Sequence, residues 1–136
     1  MIRHTSSSFR VRYGETDQMG VAYHPNYLAW CEIGRTEYIR RLGLPYAEIE
    51  RQGCFLAVAD AAVRYASPAR YDDLIRVETW LDSVKSRALD FRYQVHREEP
   101  SPALLATART TLVALDAHGR PRRLPESILN LFREAM

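Results

Sequence analysis

The chain has 136 residues, 46% hydrophobic and 26% charged, which is the length and balance of one soluble globular domain with a single core. Its 19 basic and 17 acidic residues give a formal charge of +2 and are spread along the chain, so no basic run marks a nucleic-acid or membrane partner. No apolar run approaches the ~20 residues of a membrane span, and residues 1–9 lack the apolar stretch of a signal peptide, so the protein is expected to stay in the cytoplasm.

Phe9, Val11 and Tyr13 alternate with Arg10, Arg12 and Gly14, the period-2 pattern of a first strand with one buried face. A polar loop follows over residues 14–20, and Pro25 then opens the longest helix candidate, residues 25–42. Pro25 suits the first helical turn and Gly43 the C-terminal cap, so both ends are marked. Tyr27, Leu28, Trp30, Cys31 and Ile33 occupy more than one face, and Gly34 permits close approach of a neighbour. The first half of this helix is therefore expected to be surrounded by protein.

Four extended stretches come next, over residues 55–67, 74–84, 89–97 and 104–115, with no further helix expected before them. In the third, Leu89, Phe91, Tyr93 and Val95 oppose Asp90, Arg92, Gln94 and His96. The turns at residues 68–73, 83–87 and 98–102 are short enough for antiparallel neighbours. Residues 125–135 read as a terminal helix after a turn at Gly119. The order predicts an α+β fold, a single domain over residues 1–136, in which a five-stranded antiparallel sheet wraps around one long central helix.

Reactive side chains concentrate between the first strand and this helix, where Asp17 and His24 precede the helix N-terminus. That terminus offers unpaired N–H groups and a partial positive charge, enough to stabilise an oxyanion. A carboxylate, an imidazole and free amides at one helix end suffice for attack on an activated acyl group. The competing reading has Asp17 hydrogen-bonding its own backbone in a turn, His24 serving only to lead the chain into the helix, and Tyr13 as a core tyrosine. Tyr27, Trp30 and Tyr38 read as core or subunit contacts. Asp60, among alanines in the second long strand, reads as a subunit-interface or substrate-tunnel residue. Cys31 and Cys54 lack CxxC spacing and read as buried thiols, so neither a disulfide nor a zinc site is expected. GxSxG and Gly-rich phosphate motifs are absent, which removes an α/β-hydrolase serine and a Walker nucleotide site.

The run Tyr13, Asp17, Gly20, Val21, Tyr23, His24, Pro25, Asn26, Tyr27, followed by Trp30, Glu32, Arg35 and Glu37, resembles the signature of the 4-hydroxybenzoyl-CoA thioesterase family, in particular its acyl-CoA thioesterase branch. Residues 67–73, Ser-Pro-Ala-Arg-Tyr-Asp-Asp, resemble that family's connection between its second and third strands. The resemblance implies a hotdog fold and hydrolysis of acyl-CoA, with Asp17 as nucleophile or general base. It also implies that the amide at His24 lies in the oxyanion hole and that Tyr13 and His24 accompany the carboxylate. Tyr23, Pro25 and Asn26 are implied in substrate binding, and Lys85, Ser86 and Arg87 lie where relatives approach the pantetheine and nucleotide. No metal and no cofactor is implied. The expected partners are acyl-CoA, with acyl carrier protein as an alternative carrier, and further copies of the chain in a homodimer or homotetramer. Two rival readings remain: a hotdog hydroxyacyl-thioester dehydratase, and a non-catalytic module that binds acyl-thioesters or acyl carrier protein.

Overall fold

A computed structural model describes residues 2–136. The chain forms β1 (His4–Arg10), a 3-10 turn (Tyr13–Glu15), α1 (Asn26–Arg41), α2 (Tyr46–Arg51), β2 (Phe55–Tyr65), β3 (Leu74–Val84), β4 (Ala88–Glu99), β5 (Ala103–Leu115) and α3 (Glu126–Ala135). The five strands make one sheet in the order β1-β3-β4-β5-β2, antiparallel throughout. β1 and β2 are therefore its edges.

Alternation along β3 and β4 decides which face of the sheet is covered. Ile75, Val77, Thr79 and Leu81 on β3, with Leu89, Phe91, Tyr93 and Val95 on β4, all turn inward and are buried. Against them α1 lays a stripe of Tyr27, Trp30, Cys31, Gly34, Tyr38 and Ile39, at the spacing of one helix face. Gly34 is required there: a methyl on it would overlap the Thr79 hydroxyl and meet Val77 Cγ1 at 3.0 Å. Gly43, at φ +91°, closes the helix. Its N–H donates to the Arg40 carbonyl at 2.9 Å and the Leu44 N–H to that of Ile39 at 3.4 Å, the Schellman arrangement. α3 buries Ile128, Leu129, Phe132 and Ala135, and packs on β3.

Three expectations need correction. The first strand runs from His4 to Arg10 rather than through Tyr13. Its inward residues are the small hydroxylic Thr5 and Ser7, whose polarity hides a buried face, while the chain leaves the sheet at Val11 to bond with Asp72 and Asp73. Second, α2 lies between α1 and β2. Six residues are too few to show a helical period, although Gly53 at φ +77° caps it as Gly43 caps α1. Third, only one side of α1 is covered by this chain: Leu28 is 38% and Ile33 41% exposed, because the sheet lies on the opposite side.

Candidate active site

The segment between β1 and α1 is held from beneath by a carboxylate. Glu15 is buried, and its Oε1 accepts the Arg12 N–H at 2.8 Å while Oε2 accepts the Trp30 indole N–H at 2.9 Å. Its backbone carbonyl accepts the Tyr23 N–H and the Asn26 side-chain amide, both at 2.8 Å. Burial pushes the Glu15 carboxyl up, but the hydrogen bonds from the Arg12 amide, the Trp30 indole and the Arg12 guanidinium outweigh it and hold it below its ordinary 4.5. Glu15 thus ties the loop at both ends to the first turns of α1. Sequence reasoning leaves it as one polar loop residue among several. The available signal is Trp30, whose buried indole N–H needs an acceptor.

On this base residues 16–22 form a tight reversal. The Asp17 N–H donates to the Val21 carbonyl at 2.9 Å and the Gly20 N–H returns to the Asp17 carbonyl at 3.0 Å. Gly20 takes φ +79°, which a side chain would oppose. Asp17 Oδ1 accepts the Met19 N–H at 2.9 Å, so the turn bond of the competing reading is present. Only one carboxylate oxygen is used by it. The other remains available on a half-buried side chain.

His24 closes the loop where α1 begins. Its carbonyl accepts the Tyr65 hydroxyl at 2.9 Å and the Tyr27 N–H at 3.3 Å, whereas among the described residues its own N–H donates to no backbone carbonyl. The imidazole is exposed, edge-on to Tyr23 at 5.0 Å and to Tyr65 at 6.2 Å. The second resembling segment meets the first here. The Ala22 N–H donates to the Ala69 carbonyl at 2.8 Å, the Ala69 N–H to Tyr27 Oη at 3.2 Å, and Arg70 Nη1 to the Gly20 carbonyl at 3.3 Å.

Asp17, His24, Tyr23, Pro25 and Asn26 are thus gathered at one helix end. Asn26 spends its side-chain amide on Glu15, and Tyr23 and Pro25 face outward. Tyr13 is not drawn in: it is 77% exposed and rests edge-on against Tyr71 at 5.4 Å, bonded to neither Asp17 nor His24 through its side chain. Lys85, Ser86 and Arg87 lie at the far end of the sheet. The Lys85 N–H pairs with the Ala88 carbonyl at 2.8 Å to make the β3–β4 hairpin, and β3 runs its whole length between this tip and the Asp73 end. At about 3.3 Å per residue that is roughly 33 Å, so within one chain the hairpin tip and the Asp17 loop lie at opposite ends of the sheet. Asp60 is exposed on edge strand β2, beside a bulge and 3.8 Å from Arg109. Burial pushes the Cys31 thiol up to about 12 and raises that of Cys54, so neither is a ready nucleophile. Among the described residues no three His, Cys, Asp or Glu side chains gather as metal ligands.

The thioesterase-like superfamily matches residues 11–132, from the end of β1 into α3. The chain belongs to that family. It is 35% identical over 104 residues, 76% of its length and 75% of the relative's, to the putative acyl-CoA thioesterase YneP of Bacillus subtilis. It is 32% identical over 126 residues, 92% of each chain, to the acyl-CoA thioester hydrolase YbgC of Escherichia coli. Among solved structures, the DHNA-CoA thioesterase of Staphylococcus aureus superposes with a TM-score of 0.89 at 33% identity, covering 99% of this chain and 89% of that one. The fold is the hotdog fold, and the protein is a thioester hydrolase. No helix among the described residues is long and apolar enough to cross a membrane.

Proposed function

We infer that this protein hydrolyses acyl-CoA to free acid and coenzyme A, with Asp17 as the reacting carboxylate and the His24 N–H as oxyanion donor. The carrying observation is that a half-committed carboxylate and an unspent helix-end amide lie on one loop that Glu15 fixes against α1. The thioester carbonyl oxygen would approach the His24 N–H, where the helix dipole adds to the hydrogen bond. The free Asp17 oxygen either attacks the carbonyl carbon or removes a proton from a water that does. In the first case the C–S bond breaks to give an anhydride and CoA thiolate, and water then cleaves the anhydride. Both routes end in acid, thiol and a regenerated carboxylate. Tyr13 and the His24 imidazole, both exposed, are assigned to orienting substrate, as are Tyr23, Pro25 and Asn26. The names of YneP, YbgC and the Staphylococcus enzyme support an acyl-CoA substrate.

The working unit in this reading is a homodimer, or a tetramer built from it, acting in the cytoplasm. β2 is an edge strand of 11 residues with Val58 and Tyr65 exposed, and α1 leaves Leu28 and Ile33 uncovered on its side away from the sheet. A second copy would pair the edge and cover the apolar side chains. It would also supply Lys85, Ser86 and Arg87 to a nucleotide whose thioester is held by the first copy's Asp17 loop. Thiol release from a panel of acyl-CoAs, followed alongside enoyl absorbance with hydroxyacyl-CoA, tests the reading: thiol release without double-bond formation is expected. Enoyl product would favour the dehydratase, and tight binding without turnover the binding module. Light scattering giving a monomer at working concentration would contradict the assembly.

A further inference from the structure

Arg35 is a largely buried cation whose ion pair is loose. Its side chain is 14% exposed, and the nearest carboxylate, Glu32, stands 3.9 Å away, beyond hydrogen-bond reach and itself 69% exposed. Its other polar neighbour is the Tyr93 hydroxyl, which pairs with Thr110 Oγ1 at 2.7 Å and also accepts from the guanidinium. A guanidinium carries five donors in a planar fork, and burying it with so few acceptors is costly unless an anion arrives. Arg35 lines a cavity of about 200 Å³ between α1 and the β2–β5 edge, walled otherwise by Glu32, Thr36, Ile39, Tyr46, Leu56 and Leu112. A cavity of ~150 Å³ accepts a benzene ring. This one therefore suits a short chain or a single ring, not a long fatty acyl group.

Along α1, at ~1.5 Å rise per residue, Arg35 lies roughly 16 Å from His24 of its own chain, too far for a short acyl group to reach both. The two ends of β2 bring a different pairing into view. Leu56, near its start, walls the cavity, and Tyr65, at its end, bonds the His24 carbonyl. When β2 pairs antiparallel with β2 of a second copy about a two-fold axis near the bulge, the start of one strand lies beside the end of the other. The strand start that walls the cavity of one copy then lies beside the strand end that bonds the His24 carbonyl of the other.

We propose that Arg35 is a specificity-determining residue acting in trans, binding a carboxylate at the far end of a short acyl group whose thioester carbonyl is held by the second copy's catalytic loop. This rests on the thioesterase reading of Asp17 and on the two-copy assembly. A carboxylate matches the guanidinium fork with two parallel hydrogen bonds, and Thr36 offers a further hydroxyl beside it. Glu32 shares the cavity wall and opposes an anion weakly, because its side chain is 69% exposed and water screens its charge more than that of Arg35.

Glutaryl-CoA and pentanoyl-CoA have the same chain length and differ in a carboxylate for a methyl. The wild-type protein should prefer glutaryl-CoA in kcat/KM by roughly tenfold to hundredfold, the range of a charge-assisted pair. Arg35→Met should reverse the preference, and Arg35→Lys, which keeps the charge and loses the fork, should retain part of it. Mixed oligomers of Asp17→Asn and Arg35→Met chains should regain up to about a quarter of wild-type glutaryl-CoA hydrolysis, because one site in each heterodimer is intact. A wild-type preference for pentanoyl-CoA, or an unchanged ratio in Arg35→Met, overturns the carboxylate assignment, and no recovery on mixing overturns the placement in trans. Should Arg35→Met fail to fold, the wild-type ratio and Arg35→Lys decide. Absence of thiol release from both substrates in wild-type protein would instead sink the catalytic reading beneath the proposal.

Discussion

At the end of the sheet where β3 begins, the segments around Asp17 and Ala69 cross-bond through Ala22, Tyr27 and Arg70, and Glu15 pins them to Trp30. At the other end, the Ser86 and Arg87 carbonyls bond to Leu124 and Ala114, and the Lys85 and Arg87 side chains are exposed and enter no ion pair among the described residues. One end is a fixed frame with a few donors and acceptors left over. The other is a backbone turn carrying solvated charge. Leftover groups on a fixed frame cost nothing to reorganise when charge develops in a transition state, whereas solvated charges attract an anion without positioning it. The contrast recurs within a few residues: Glu15 spends both oxygens on the fold, and Asp17 only one.

The comparison breaks most visibly at Glu15. Glu15→Ala leaves the Trp30 indole N–H and the Arg12 N–H without their acceptor and should cost ~3 kcal/mol of stability, read in urea, with thiol release falling at the same time. Because the folded pKa of Glu15 lies below its ordinary 4.5, its contribution is full above that value and is lost as pH falls through the folded one. As pH falls from about 5, the wild type should therefore lose stability more steeply than Glu15→Gln. Parallel slopes would remove Glu15 from its anchoring role.

Gly34→Ala probes the packing that supports the frame. Its methyl would meet Thr79 and Val77 on β3, and α1 should shift away at a cost of ~1 to 3 kcal/mol. A melting temperature equal to wild type would mean that the close approach of α1 to β3 carries no energetic weight.

How much of this was legible depends on what each residue shows in isolation. Leu89, Phe91, Tyr93 and Val95 announce β4 because their polar neighbours alternate with them, and Gly43 marks the end of α1 because a left-handed residue is needed there. β1 was obscured by Thr5 and Ser7, which are small enough to be buried and polar enough to read as surface. The nearness of Asp17 and His24 to one helix end follows from chain order, but the loop's anchor does not. Glu15 and Asp17 are both acids in a polar loop, and only the fold decides which one is buried. That Lys85, Ser86 and Arg87 sit at the opposite end of the sheet is a consequence of hairpin topology, which a match of segments taken one at a time does not reveal.

The smallest expected effect lies at that far end. Lys85→Ala combined with Arg87→Ala should raise KM for acyl-CoA by roughly threefold to tenfold while leaving KM for an acyl-pantetheine without the nucleotide within about twofold. Equal changes for both substrates would show that the hairpin tip meets no phosphate.

The contrast between Glu15 and Asp17 stands or falls on thiol release by purified Asp17→Asn. Asparagine keeps an oxygen that can accept the Met19 N–H, so the turn, the melting temperature and the oligomer size should persist. It removes the charge that attacks the carbonyl or activates water, and acyl-CoA turnover should fall by ~10²-fold to 10⁴-fold. Retention of more than about a tenth of wild-type thiol release, far outside that range, would contradict the account and leave Asp17 as a turn residue.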